Sequence, residues 1–212
     1  AVQFNRFYEG SLRKEIKALK ELGKKVIYET DDNYSAIDQS HPFWKIGEVA
    51  QPSWKELMHE ADAVIVSTQN IADEVKKLTG KDSYVIQNSL DFREYPKRAG
   101  GNKTLRIGFQ GSNIHSGDLL MVIDAIAELQ KEYGFEFYIF GIDDKPLSEL
   151  YQFITEEYNQ GYEWERDFKL LYEKLQDMEY THVPTVSYDK YRKKLAKLNF
   201  DIGICPLKDS AF

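Results

Sequence analysis

A single cysteine, Cys205, stands in a chain of 212 residues, so no internal disulfide framework can hold this fold. Its place in the run Ile202-Gly203-Ile204-Cys205-Pro206 predicts a buried strand thiol. Long apolar runs are missing too. No stretch approaches the ~18–20 residues that a membrane-spanning helix needs. The opening Ala1-Val2-Gln3-Phe4-Asn5-Arg6 lacks the basic-then-apolar layout of a secretory signal and reads as the middle of a domain. These features together lead us to expect a cytoplasmic protein. Histidine is scarce, and His41, His59, His115 and His182 show no metal-ligand spacing, so no metal is expected.

Positive charge is also in deficit, with 28 Lys and Arg against 35 Asp and Glu, a net charge of −7. The acid is concentrated: residues 143–182 carry eleven Asp or Glu against four Lys or Arg. The rest of the chain is close to neutral. No basic face of the kind that binds a phosphate backbone is visible, which argues against nucleic acid as a partner.

What the chain does have is one pattern, met twice. In the first half, Val2–Phe4 reads as a strand, and Leu12, Ile16 and Leu19 mark a helix that stops at Gly23. Strand Lys25–Glu29 runs into Thr30-Asp31-Asp32-Asn33, followed by a looser stretch with His41-Pro42 and Gln51-Pro52 and a short helix near Ser53–Glu60. Strand Ala63–Ser67, helix Gln69–Thr79 and strand Tyr84–Gln87 follow. The second half repeats the scheme. Strand Leu105–Gln110 leads through Gly111-Ser112-Asn113-Ile114-His115-Ser116-Gly117 into a helix near Asp118–Tyr133, and strand Glu136–Phe140 ends at Gly141. Strand Val183–Ser187, helix Tyr188–Leu198 and strand Asp201–Cys205 close the series. Within the helix, Tyr188, Tyr191, Leu195 and Leu198 recur at core spacing.

Apolar strands separated by single helices imply α/β architecture with parallel sheets covered on both faces. Residues 1–98 form one partial Rossmann-like domain, 99–103 a linker, and 104–212 a second partial domain with a helical, acidic and aromatic insertion at about 145–180. Ligands of such sheets gather at the strand C-terminal ends, near a reversal of strand order. That places Arg6, Asp31, Asp32, Ser67, Thr68, Asn88 and Ser89 on the functional edge of the first half.

The turn Gly111–Gly117 is the strongest chemical signal. Its glycines let backbone approach a ligand, and a helix that follows offers amide donors and a positive dipole end, which suits a diphosphate. It is neither a strict G-x-G-x-x-G nor a Walker loop. Asp118 suits a first helical turn but repels a phosphate placed too near, and His115 is a donor candidate. Asp31-Asp32 fits an acceptor-side base, a metal pair or a loop that caps a helix.

The segments Val26–Asp32, Ala61–Thr68, Val85–Asp91, Leu105–Ser112 with His115 and Gly117-Asp118, and Phe200–Leu207 resemble, in order and spacing, the GT-B glycosyltransferases of the glycosyltransferase-4-like, "group 1" branch. The resemblance implies two Rossmann-like domains facing across a cleft and transfer of a sugar from a nucleotide-diphosphate sugar to an acceptor hydroxyl. The acceptor would be a carbohydrate, lipid or protein. It implies that Gly111, Ser112, Asn113, His115 and Gly117 face the donor diphosphate. Asp31 and Asp32 would stand on the acceptor side, and no metal cofactor would be needed. Two departures stand out. Ser116 and Asp118 occupy places where the family carries diphosphate-clamping bases, and the family's Glu-x7-Glu segment would lie beyond Phe212. The first strands of the acceptor domain would likewise lie before Ala1, so the chain is expected to be a fragment. The alternative is a noncatalytic GT-B-like scaffold that docks a protein through the acidic, aromatic region Tyr151–Tyr180. A different Rossmann-type nucleotide binder is a weaker third reading.

Overall fold

The computed structural model describes residues 1–5, 10–37, 41, 44–97, 100–142 and 163–208, without the side chains of 45–49. The protein is α/β and divides into two compact units, the first ending at Leu90 and the second beginning at Asp91.

In the first unit, strands β1 (Val2–Asn5), β2 (Val26–Thr30), β3 (Ala63–Val66) and β4 (Tyr84–Val85) form a parallel sheet in chain order, β1-β2-β3-β4. Helices α1 (Leu12–Glu21), α2 (Trp44–Glu60) and α3 (Gln69–Thr79) supply the crossovers. Because the order never reverses, right-handed crossovers send all three helices to the same face. The core shows this. Ile16, Trp54, Leu57, Met58, Ile71 and Val75 meet Val26, Tyr28, Val64 and Val66, which share one face of the sheet. Ile27, Glu29, Ala63 and Ile65, on the other face, stay partly exposed. The expectation of a first sheet covered on both faces is therefore corrected: Gln3, Asn5 and Glu29 make that second face too polar to bury.

Helix α2 is also longer than its sequence suggested, beginning at Trp44 and running through Pro52. A proline inside a helix costs about 3 kcal/mol. Burial of Trp54, Leu57 and Met58, worth about 1.5–3 kcal/mol per large side chain, outweighs it. At the far end, the Lys81 ammonium donates to the carbonyls of Met58 (3.4 Å), His59 and Ala61 (2.5 Å), satisfying groups the helix leaves orphaned. Strand β4 is shorter than expected, two residues, continued by one bond from the Ile86 amide to the Val66 carbonyl (2.8 Å).

In the second unit, β5 (Arg106–Gln110), β6 (Glu136–Phe140), β7 (Thr181–Val183) and β8 (Ile202–Ile204) form a parallel sheet ordered β7-β6-β5-β8. Strand β7 lies earlier than the expected Val183–Ser187, since Pro184 has no amide to continue the ladder. Here the order does reverse, and both faces are covered. Helices α4 (Ser116–Leu120), α5 (Ile123–Tyr133) and α6 (Glu163–Gln176) bury Leu119, Ile123, Ile126, Phe168, Leu171 and Leu175 against Phe109, Phe137 and Ile139. Helix α7 (Tyr188–Leu198) covers the opposite face, where Tyr191 stacks on Phe140 at 5.6 Å. The four residues expected to be its core stripe are less buried than their spacing implied, and Tyr188 is 72% exposed. The chain then turns through Asn199, a buried left-handed cap at φ 53°, and lays the Phe200 ring over Gly108. A side chain at 108 would start 2.4 Å from that ring.

Both units use one device at a strand start. Asp62, just before β3, accepts from the first amide of β2, Val26 (2.9 Å), and Asp201, just before β8, accepts from the first amide of β5, Arg106 (2.9 Å). Asp201 also takes the Asn102 amide (2.8 Å), while Asn199 donates to Asn102 Oδ1 (2.9 Å).

Two outcomes follow. Gly108→Val must displace Phe200, and overpacking of this kind costs about 1–3 kcal/mol. Urea unfolding is expected to show a clear drop in midpoint, and an unchanged midpoint contradicts the packing described. The second concerns pH. The Val26 amide, and then the Lys25 ammonium, hold the Asp62 carboxyl below its ordinary range. A depressed folded pKa gives stability that is present above the unfolded value, ~4, and lost as pH falls through the folded one. Asp62→Asn should therefore flatten the acid limb of stability below about pH 4; an acid limb identical to wild type would refute this.

Candidate functional site

In the first unit the strand C-terminal ends carry Asp31 and Asp32. Both are partly buried in a turn, where the Thr30 hydroxyl donates to the Asp32 carbonyl (2.9 Å) and accepts from the Asp32 amide (3.3 Å). The Asn88 amide donates to Asp31 Oδ2 (3.3 Å), so the structure does bring together two residues that lie far apart in sequence. The Thr68 hydroxyl is occupied in capping α3 through the Ile71 amide (3.3 Å), and Ser89 bonds locally to the Gln87 carbonyl (3.2 Å). Ser67 is buried. Arg6 lies outside the described residues. Strand order does not reverse among the described strands of this sheet.

The reversal lies in the second sheet, between β5 and β8. The turn after β5 and the segment after β8 flank it. The turn is not the simple strand-to-helix loop that was expected. After Ser112 comes a 3₁₀ turn, Asn113–His115, then five-residue α4, a break at Met121-Val122, and only then α5. The predicted helix Asp118–Tyr133 is thus two helices, and its dipole is divided. Backbone amides, more than a long helix axis, are what this turn offers an anion.

Each predicted residue of the turn has a definite place. Gly111 donates its amide to the Phe140 carbonyl (3.1 Å), so contacts to a ligand from this backbone begin at Ser112. A side chain at 111 would meet the Phe109 ring at 3.0 Å and His115 Cβ at 3.1 Å. Opposite, Gly141 adopts φ 104° and packs on Gly111 so closely that a Cβ there would lie 2.6 Å from the Gly111 carbonyl oxygen. Ser112 is exposed, and its carbonyl accepts from the His115 amide (2.9 Å). Asn113 carries a buried side-chain oxygen without a hydrogen-bond partner among the described residues, while its carbonyl takes the Ser116 hydroxyl (2.6 Å). His115 Nδ1–H donates to Asp118 Oδ2 (2.8 Å), which leaves Nε2 as its outward nitrogen.

Lys208 is the residue that sequence reasoning missed. Its amide donates to Asp118 Oδ1 (2.8 Å), so both Asp118 oxygens are occupied and β8's exit is tied to the β5 turn. Its ammonium binds Glu163 (3.2 Å) and Asp167 of α6. Burial opposes that charge, yet the Asp167 and Glu163 carboxylates outweigh it and hold the ammonium above the usual lysine range. The Lys208 stem passes over Gly117, where a Cβ would lie 2.7 Å from Lys208 Cε and from the Asp167 carboxylate. A side chain at 117 would push the ends of Lys208 and Asp167 aside. The signal in sequence was the lysine two residues beyond Pro206, ninety after Asp118, a separation that only the strand order makes local.

Beside this turn, on the α7 face, a cleft of about 500 Å³ opens between β5, β8 and α7, with Tyr95, Gln110, Arg192 and Phe200 in its wall. Cys205 lines it and is exposed, which corrects the expected buried thiol: it follows the end of β8 rather than lying inside the strand.

The acidic segment is described only from Glu163. There its aromatic residues turn inward, with Phe168 buried and Trp164 and Tyr172 packed on the core; residues 143–162 lie outside the described residues. Among the described residues no group of His, Cys, Asp and Glu side chains gathers as a metal-ligand set, and no helix is long and apolar enough to cross a membrane. Comparison of the sequence with protein-family models and with curated proteins returns no match.

The tie through Asp118 is testable. Asp118→Ala should leave the sheet intact yet strip protection from the Lys208 amide in hydrogen exchange, because that amide loses its acceptor. Unchanged exchange at Lys208 would contradict the geometry.

Proposed function

We propose that this chain is part of a GT-B-type glycosyltransferase whose second unit holds a nucleotide-diphosphate sugar. One observation carries the reading: among the described strands the order reverses between β5 and β8, beside the glycine-containing turn 111–117, the kind of place where open α/β sheets bind ligands. The backbone amides of Ser112, Asn113 and Ile114 would meet the departing diphosphate, acting where negative charge grows in the transition state. Asp118 is held in place by the His115 ring and the Lys208 amide, which fixes the turn against the exit of β8. Lys208 supplies the positive charge that the turn itself lacks, and a diphosphate would draw its ammonium from Glu163 and Asp167. Asp31 and Asp32, on the first unit, are the acceptor-side candidates, with Asn88 orienting Asp31. A cytoplasmic setting and independence from metal belong to the same proposal.

The test is calorimetric titration of the chain with UDP, GDP and ADP. Saturable binding of at least one is expected, weakened about tenfold, or ~1.4 kcal/mol, in Lys208→Met. No heat from any of the three would overturn the proposal, and equal affinity in Lys208→Met would remove that lysine from the site.

A further inference from the structure

The cleft on the α7 face has a floor made of two glycines in direct register, Gly108 on β5 and Gly203 on β8. Their bare backbones have different fates. Phe200 has laid its ring on Gly108, so close that a side chain there would have to displace it. Over Gly203 the described residues leave nothing within 4 Å of where a Cβ would be. Neighbouring strands lie about 4.8 Å apart, and aromatic rings pair favourably with centroids about 4.5–7 Å apart. The slot over Gly203 thus lies one strand over from Phe200, where a second ring, offset or turned edge-on, would pack against it.

The rest of the wall agrees. Tyr95, Pro96 and Ile204 are apolar or aromatic, and among the described lining residues the cation, Arg192, is paired with Glu94. Gln110 is hydrogen-bonded to Tyr191. The wall is thus mainly apolar and aromatic, which suits an uncharged ring, and its volume lies within the range of small-ligand pockets, about 300–1,000 Å³.

We propose that this cleft binds the planar aromatic ring of a small ligand, seated on Gly203 beside Phe200. The inference stands apart from the diphosphate reading, since it concerns the α7 face and a neutral group. Two sources share this chemistry, a nucleoside base and a simple aromatic compound.

Cys205 provides the readout, because it is the chain's sole cysteine, lines the cleft and is exposed. Its alkylation by iodoacetamide is followed in the presence of adenosine, uridine, phenol, indole or glucose. A planar probe is expected to slow alkylation several-fold; protection by the nucleosides alone, or by phenol and indole alone, identifies the source. Gly203→Leu fills the slot from an open strand position and should abolish that protection, with circular dichroism and the urea midpoint confirming the fold. The proposal is overturned if no planar probe protects Cys205 at millimolar concentration, if glucose protects as well as they do, or if folded Gly203→Leu is protected like wild type.

Discussion

The pairing of β8 against β5 is the interaction on which the second unit depends. It is a short ladder of three residue pairs, fixed at each end by a carboxylate that accepts a backbone amide. At the entry, Asp201 holds the first amide of β5; at the exit, Asp118 holds the amide of Lys208. Each bond contributes about 1.5–3 kcal/mol as a hydrogen bond to a charged group. Their larger effect is on register. A one-residue slip of β8 would take Gly203 out of line with Gly108 and turn Ile202 and Ile204 to the wrong face. It would also carry Lys208 away from the turn it completes.

This constraint explains why the two units differ although their sequences share one pattern. Both run strand, helix, strand, and both place an aspartate before a strand to receive its neighbour's first amide. Among the described strands, the second unit sends a crossover back past its first strand and the first unit does not. That reversal puts helices on both faces, opens a crevice and leaves a cleft beside α7. The first unit keeps chain order among its described strands, gathers its described helices on one face, and brings Asp31 and Asn88 together at the strand ends.

Much of the architecture was legible from apolar runs and their punctuation. Gly23, Gly80 and Gly134 stop helices where positive φ is required, and the Val-Ile-Tyr and Ala-Val-Ile-Val runs are strands. Strand order was not legible, because crossover direction depends on packing between elements rather than on local spacing. The same limit hid Lys208 and misplaced Cys205. Pro52 misled for a related reason: its local penalty was visible, while the burial of Trp54, Leu57 and Met58 that offsets it was not. Within the turn, Gly111 and Gly117 stood out in the sequence, but their neighbours did not: Phe109 and His115 lie close to one, Asp167 and Lys208 to the other. Whether such a turn also receives an anion depends on the amides beyond Gly111 and on where the Lys208 ammonium goes.

The central claim, that the β5–β8 reversal is the ligand edge, is most directly tested by nuclear magnetic resonance of the labelled chain during titration with a nucleoside diphosphate. The account predicts that amide shifts concentrate on Ser112–Gly117 and Lys208, with the strand ends of the first unit unmoved by the nucleotide. Shifts confined to Asp31, Asp32 and Asn88, or none at the turn under saturating nucleotide, would contradict it.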